Sequence, residues 1–350
     1  MADRVRVGVM GAGAIGSYVG GMLAATGDAD VVLVGRSWLR DEIAACGLTV
    51  RAFGGAGRVV DADRIAVDTE PGALAGCDAV LCCVKSAHTA DAARALAGVV
   101  APGAVVASLQ NGLRNADALR AELSDRRVVA GIVGFNVVAP GGGVFQRTTD
   151  GPLMLEACDE PRWRRVVDAL ASAGLDVAER ADIVPDQWTK LLINLNNAVS
   201  ALSGAPTRDL ILTAGYRRIV SAVVGEGVRV VKAAGIRPAR FRGVPIGLMP
   251  RMLRLPSPVV RVLARAQMKV DPEARSSMWA DLERRRPTEV DYLNGEIVAL
   301  ADRAGIDAPL NRRIVALVRD AERAGAGSPQ LLAEQLWSAL TRADESASQK

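Results

Sequence analysis

The chain has 350 residues, half of them apolar and only 3% aromatic, which is long for one core and predicts two domains packed with Ala, Val, Leu and Ile. A net charge of +4 with no dominant basic tract argues against a nucleic-acid partner. The longest apolar stretches, such as ALAGVVAPGAVVASL at 95–109, are broken by Pro and Gly, so no membrane-spanning helix is expected.

The first half alternates β-branched runs with alanine-rich helical patterns. VRVGVM (5–10) reads as a strand and IGSYVGGMLAAT (15–26) as a helix. VVLVG (31–35), DAVLCCV (78–84) and GAVVASL (103–109) read as further buried strands, and VVAGIVGFNVV (128–138) continues the pattern. Near-continuous apolar strands separated by helices predict βαβ units in a parallel, helix-covered sheet. From about Asp182 the β-rich runs stop. DQWTKLLINLNNAVSALSG (186–204) carries a helical stripe ending at Gly204 with Pro206 beyond, and RRIVSAVVGEGVRVVKAAG (217–235) is a second helix stopped by Gly235. Longer helical patterns follow around 275–304 and 308–342. The expected fold is α/β: a Rossmann-like doubly wound parallel sheet over 1–183, an all-helical domain over 184–345, and a frayed tail at 346–350.

The five cysteines, Cys46, Cys77, Cys82, Cys83 and Cys158, are odd in number and lack C-x-x-C spacing. They fit a reduced cytoplasmic protein better than a disulfide framework, and no metal site is expected. The N-terminal MADRVRVGVMG carries charges where a signal peptide would be apolar.

Gly11, Gly13 and Gly16 stand in the spacing G-x-G-x-x-G between the first strand and the first helix. In that context Gly11 permits a tight turn, Gly13 lets the backbone approach a pyrophosphate, and Gly16 lets helix and strand pack closely. The expected cradle is therefore Gly11, Ala12, Gly13, Ala14, Ile15 and Gly16, with the helix N-terminus facing the phosphates. The second strand ends in VVLVGRSWLR, where an acid would select NAD. Arg36 stands there instead, with Arg40 one turn on, which favours the 2′-phosphate of NADP(H). The plain alternative is a solvated surface arginine. Lys85 in LCCVKS and Asn111 with Gly112 in SLQNGLRN follow two further strands, at the carboxyl ends where such sheets bind ligands. Asn-Gly is also a common turn pair.

Together these pieces resemble the ketopantoate reductase family: G-x-G-x-x-G, a Lys after the fourth strand, Q-N-G after the fifth, and three segments of the second half. DQWTKLLINLNN is similar to that family's helix with Trp, Lys and Asn. SSMWADLERRRPTEVDYLNGEI is similar to its S-S-M…D…T-E-x-D-x-x-N-G block, and GIDAPLNRRI to its G-I-x-x-P-x-N segment. The match runs from about residue 5 to 320. It implies NADPH-dependent reduction of 2-dehydropantoate to pantoate, on the route to pantothenate, in a cleft between a Rossmann and a helical domain. It implies Lys190 as the catalytic lysine, with Asn194, Ser277, Asn111 and Glu289 around the substrate. Asn197, one further step along the helix, can join them.

The chemistry agrees with that implication. Hydride reaching a keto carbon leaves negative charge on oxygen, and a positioned ammonium stabilises it and donates the proton. Partial burial of Lys190 in an apolar helix lowers its pKa toward working pH. Asn194, at i+4, shares its face. Ser277 can bond a substrate carboxylate, and Glu289 can orient the ammonium or bind a hydroxyl. The plain alternatives are a snorkelling lysine and an i,i+4 pair of Glu289 with Arg285. His88, the single histidine, lies in the cofactor half and is read as peripheral, which argues against a histidine-dependent mechanism.

The segment 237–272 is longer and more basic than the family's usual connection. Arg261, Arg265 and Lys269 fall at i, i+4 and i+8, with Val259, Val262, Leu263 and Ala266 on other faces. A cleft lid, a homodimer contact or a membrane-surface helix are the sharper readings, and a solvated basic face on a packed helical hairpin the bland one. Three functional readings stand: the ketopantoate reductase, a reductase of the same fold for another 2-oxo acid or ketone, and a non-catalytic NADP-binding sensor. A 6-phosphogluconate-type dehydrogenase also joins such halves, but no block here calls for decarboxylation.

Overall fold

The computed structural model describes residues 4–267 and 274–342. It divides into two compact units, Met1–Val184 and Pro185–Lys350.

The first unit carries β1 (Val5–Met10), β2 (Ala29–Val34), β3 (Leu48–Arg51), β4 (Gly57–Val60), β5 (Ile65–Asp68), β6 (Ala79–Cys82), β7 (Val105–Ser108), β8 (Arg127–Val133), β9 (Val137–Gly141), β10 (Val144–Arg147), β11 (Leu153–Glu156) and β12 (Val177–Arg180). Its helices are α1 (Ala14–Thr26), α2 (Ser37–Cys46), α3 (Thr89–Ala97), α4 (Asn115–Glu122) and α5 (Pro161–Ser172). Eight strands form one sheet in the order β12-β11-β8-β7-β6-β1-β2-β5. Every neighbouring pair is parallel except β11 with β8. Both faces are buried because the apolar strand residues alternate between two cores. Val31 and Leu33 pack with Leu23, Leu39 and Trp163 of α1, α2 and α5, whereas Val32 and Val34 pack with Leu96 and Leu119 of α3 and α4. That is the doubly wound arrangement predicted.

One expectation needs correcting. Residues 128–138 do not continue a single strand. The chain breaks at Gly134, whose N–H donates to the Pro152 carbonyl at 2.8 Å. A Cβ on Gly134 would lie 2.4 Å from that oxygen, so the backbones meet here with no room for a side chain. Beyond the break, β9 joins a second, four-stranded sheet in the order β4-β3-β10-β9. In it β10 pairs parallel with β3, Val144 opposite Thr49.

The second unit holds α6 (Val184–Asn194), α7 (Asn196–Ser203), α8 (Thr207–Leu212), α9 (Ala214–Ala233), α10 (Met249–Leu253), α11 (Ser257–Gln267), α12 (Ser277–Glu283), α13 (Asn294–Ala304), α14 (Pro309–Ala324) and α15 (Ala333–Thr341), with a small hairpin of β13 (Arg240–Phe241) and β14 (Val244–Pro245). The single helix expected over 186–204 is two. Asn196 Nδ2 donates to the Ile193 carbonyl at 2.7 Å, a side chain competing with the helical ladder next to the Leu195 break. The pattern at 275–304 is also interrupted: Arg285 adopts φ 53°, Pro287 follows, and a 3-10 turn at Val290–Tyr292 precedes α13.

The long helix α9 meets α6 and the Leu195 break through Gly227, where a Cβ would lie 2.7 Å from Leu195 Cδ1 and 3.0 Å from Leu192 Cδ2. One residue before, Glu226 is buried and accepts the backbone N–H of Leu310 (3.1 Å) and Asn311 (2.8 Å). A carboxylate at the N-terminus of α14 is favoured by the free N–H groups and the helix dipole. Asn311 Nδ2 also donates to Glu226 (2.9 Å), and Asn294 Nδ2 donates to Asn311 Oδ1 (3.0 Å). The asparagines of the N-G and P-x-N motifs are thus bonded directly to each other, and a buried glutamate holds the second. No helix among the described residues is long and apolar enough to cross a membrane.

In the basic segment, Val260 anchors α11 at 4% exposure while Val259, Val262 and Leu263 stand at 44%, 67% and 37%. The face therefore presents apolar as well as basic groups to solvent, which the hairpin reading did not anticipate. Lys269, the side chains of Arg265 and Ala266, and the tail at 346–350 lie outside the described residues.

Candidate functional site

The glycine turn joins β1 to α1. Gly11 takes φ 94°, and a Cβ there would sit 2.6 Å from the Val84 nitrogen. At Gly16 a Cβ would lie 2.6 Å from the Gly11 oxygen and 2.8 Å from Val9 Cγ1. Gly13 differs: nothing lies within 4 Å of its absent Cβ. Two glycines are therefore demanded by packing, and the third opens onto free space at the N-cap of α1. The Gly11 and Ala12 N–H groups are spent on the Val34 carbonyl, at 3.0 and 2.9 Å. The N-cap has no side-chain cap and the first turn no acid. Free N–H groups and the dipole thus stay available to an anion beside Ala14, Ile15 and Gly16.

Gly35 and Arg36 follow β2, and Arg36 is the exposed N-cap of α2. Arg40 is turned to its neighbour Asp41, with Nε 3.3 Å from the carboxylate. Strand pairing adds what the linear sequence hides. Val34 stands opposite Asp68, and the Gly35 N–H donates to the Asp68 carbonyl at 2.9 Å. The Asp68 carboxyl is held below the usual range by the N–H groups of Glu70 and Thr69 and by the charge of Arg40. Trp38, half exposed, stands two residues beyond Arg36.

Lys85 and Asn111 follow β6 and β7, and a buried polar network ties these strand ends together. Ser86 Oγ donates to the Asn111 carbonyl at 2.9 Å, and Asn115 Nδ2 donates to Ser86 Oγ at 3.2 Å and to the same carbonyl. Gln110 Nε2 donates to the Val84 carbonyl (3.0 Å) and to Thr89 Oγ1 (2.7 Å), while its Oε1 accepts from Ser108 (3.0 Å). Thr89 and Asn115 carry no sequence motif, and Gln110 stands out only as the first residue of Q-N-G. Their signal was a run of polar residues at strand ends otherwise wholly apolar. His88 is exposed beside this network.

In the helical unit, Lys190 lies on α6. Thr189 Oγ1 donates to the Pro185 (3.1 Å) and Ala239 (2.8 Å) carbonyls and so fixes that helix. Glu289 is buried just ahead of the 3-10 turn. Its segment is fixed by the Thr288 N–H donating to Glu322 at 2.7 Å and the Val290 N–H donating to Thr288 Oγ1 at 3.2 Å. The stretch from Arg284 to Glu289 is a loop, so the helical pairing of Glu289 with Arg285 does not form. Burial pulls the Lys190 ammonium down from 10.5 to about 8, with the Glu289 charge opposing it. Asn194 ends the same helix, one turn from Lys190. Ser276, not Ser277, caps α12: its Oγ accepts the Trp279 N–H at 3.1 Å and donates to the Asn197 carbonyl at 3.0 Å. Ser277 is exposed at the first position of that helix. Lys190 and Glu289 are thus brought into electrostatic contact, and Asn197 adjoins the α12 cap. Asn111 belongs to the first unit.

None of the five cysteines is paired, and burial pushes the Cys82 thiol up to about 12. Cys77, Cys82 and Cys158 are buried packing groups, whereas Cys46 is exposed.

A glycine turn with free N–H groups on a largely parallel, doubly wound sheet, joined in one chain to a helical unit where a partly buried lysine lies near a buried glutamate, fits a two-domain oxidoreductase of the Rossmann class. Comparison with known proteins agrees. Residues 7–160 match the family model for ketopantoate reductase PanE/ApbA, and residues 182–322 match the model for its C-terminal part. A 2-dehydropantoate 2-reductase of Halobacterium salinarum is 33% identical, over 92% of this chain and 100% of its own length. A PanE/ApbA family ketopantoate reductase from Ralstonia eutropha JMP134 superposes with a TM-score of 0.77 at 33% identity, covering 92% of this chain and 99% of its own. The ternary structure of a D-mandelate dehydrogenase with NADH and anilino(oxo)acetate shares the fold, with a TM-score of 0.73 at 20% identity over 92% and 99% of the two chains. The chain belongs to the ketopantoate reductase family.

Proposed function

We propose that the protein reduces 2-dehydropantoate to pantoate with NADPH, and that Lys190 is the general acid. The observation that carries this reading is the Lys190 ammonium, drawn down to about 8 by burial and faced by the buried Glu289. An amine with that pKa is mostly protonated at neutral pH, yet releases its proton far more readily than a solvated lysine. The family supplies the substrate class, a small 2-oxo acid, and the glycine turn fits a nicotinamide dinucleotide.

Bound NADPH supplies the hydride. The residues of this chain do the rest. The N–H groups at Ala14, Ile15 and Gly16 and the open side of Gly13 take the pyrophosphate. Arg36 takes the 2′-phosphate, which favours NADPH over NADH, with Asp68 setting the charge available at that corner. Lys85 and Asn111 act beside the cofactor at the strand ends fixed by Gln110 and Asn115. The Lys190 ammonium stabilises the developing negative charge on the C2 oxygen and transfers one proton to it, ending neutral, and solvent restores the proton. Glu289 orients the ammonium. Asn194, Asn197 and Ser277 bind the carboxylate and hydroxyl of the substrate.

Steady-state loss of NADPH absorbance with 2-dehydropantoate tests the assignment. Turnover that disappears in Lys190→Ala, with NADPH affinity retained, is expected. Clear turnover with another branched 2-oxo acid, and none with 2-dehydropantoate, would move the substrate assignment within the same chemistry. Cofactor binding without turnover on any 2-oxo acid would return the chain to the sensor reading.

A further inference from the structure

The helical unit holds a groove that the reductase reading does not use. It lies between α9 and α10, has a volume of about 580 Å3, and is lined by Gly225, Arg229, Lys232, Gly247, Arg251 and Arg254. Small-molecule sites commonly occupy about 300–1,000 Å3, so the groove is too large for a single inorganic ion and suited to a metabolite.

Four cations line it: Arg229 and Lys232 from α9, Arg251 from α10, and Arg254 just past the end of α10. Arg254 is aimed by its Nε donating to the buried Ser221 Oγ at 2.9 Å, while that hydroxyl donates to the Pro250 carbonyl at 2.8 Å. Arg229 donates to the Asp307 carbonyl at 2.7 Å and stands 4.0 Å from Glu226. Glu226 is buried against the N–H groups at the start of α14 and offsets part of the Arg229 charge, which leaves the groove with a net positive lining. The Lys232 and Arg251 side chains have no hydrogen-bond or ion-pair partner among the described residues. All four are exposed to solvent, so their mutual repulsion is screened, and an anion seated among them would meet several donors at once.

The glycines give an independent argument. A glycine inside a helix costs about 1 kcal/mol relative to alanine and needs a reason. Gly227 has one, because a Cβ there would strike Leu195. Gly225 on the same helix does not: its Cβ would make ordinary contact with Pro250, at 3.5 Å. Gly247 opposite is equally unobstructed, 3.7 Å from Val228 Cγ1. What these two glycines keep clear is the groove itself, and its floor of Val228, Ala233 and Pro250 is apolar.

We propose that this groove binds a small molecule carrying several phosphate-type negative charges next to a compact apolar portion, at a site separate from the cofactor turn. Guanidinium forks match phosphate oxygens in pairs, and the lysine adds a point charge. The proposal does not depend on the assigned reaction. Inorganic tripolyphosphate is the probe. The full chain is titrated calorimetrically with it under saturating NADPH, so that the cofactor's own anion cradle is filled. Saturable binding is expected, at least about tenfold tighter than that of inorganic phosphate because several cations act together, and weakening with added salt. Lys232→Gln with Arg251→Gln should reduce tripolyphosphate affinity at least about tenfold while leaving NADPH affinity unchanged. Gly225→Leu, which fills the cavity and keeps every charge, should do the same, with thermal unfolding reporting that the variant is folded. No saturable binding to the wild type, equal affinity for the two phosphates, or unchanged binding in the folded variants would each overturn the site.

Discussion

Replacing Lys190 by methionine should remove activity and stabilise the fold. Burial brings the ammonium from 10.5 down to about 8, and at about 1.4 kcal/mol per pKa unit the charged form costs the native state about 3 kcal/mol. Lys190 keeps some solvent contact, so this is an upper figure. The cost is fully present below the folded pKa, where both states carry the proton. Between about 8 and 10.5 the unfolded chain binds more protons than the native one, so wild-type stability rises with pH and the cost fades. Lys190→Met should therefore be more stable than wild type at neutral pH, by up to about 3 kcal/mol, and its advantage should shrink as pH rises through that window. Urea unfolding of both proteins at neutral pH and near pH 10 measures it; taking the difference between them cancels titrations elsewhere. The same variant should lose about 10²- to 10⁴-fold in kcat. In the wild type, kcat/KM should fall as pH rises through about 8, because the acid must be protonated. A variant no more stable at neutral pH, or an advantage that does not change with pH, would refute the claim that this amine is held protonated against its burial.

The glycine turn offers a paired test. Gly16→Ala, with a Cβ 2.6 Å from the Gly11 oxygen, should destabilise the first unit by about 1–3 kcal/mol, read from the urea midpoint. Gly13→Ala should leave that midpoint unchanged and weaken NADPH binding at least about tenfold, seen by fluorescence titration. Arg36→Ala should raise the dissociation constant for NADPH about tenfold or more, with little change for NADH; equal losses for both would remove the 2′-phosphate role. Asn115→Ala removes the amide that bonds Ser86 Oγ, the Asn111 carbonyl and Thr89 Oγ1, each of which keeps another partner, so it should cost about 1 kcal/mol in chemical denaturation.

Much of this was readable in the order of residues, and the limits have physical causes. The first strand and helix were legible because their pattern is local: an apolar run, a glycine turn and an alanine-rich stripe. Gly204 and Gly235 ended their helices as expected, since a positive φ after the last turn is a local demand. What escaped was set by pairings between distant segments. The second sheet depends on Val144 reaching Thr49, and no short window of sequence contains that contact. Asp68 becomes a neighbour of the Gly35 corner only through strand register. The break at Leu195 hides inside an unbroken apolar periodicity, because the competing hydrogen bond comes from one asparagine among three. In the helical unit Lys190 and Glu289 could be named from family resemblance, but composition could not place a carboxylate against an amine a hundred residues earlier in the chain. The side chains that hold both segments, Thr189 and Thr288, carried no motif at all.

The parallel pairing of β3 with β10 has a consequence for biosynthesis. As the polypeptide leaves the ribosome, Thr49 and Val50 are made long before Val144 and Phe145, so β3 waits with one edge unsatisfied. An apolar, half-made edge is a template for strand addition from another nascent molecule. A product truncated between β8 and β10 would keep that edge permanently open, and should collect in inclusion bodies even though most of the nucleotide-binding sheet is already encoded.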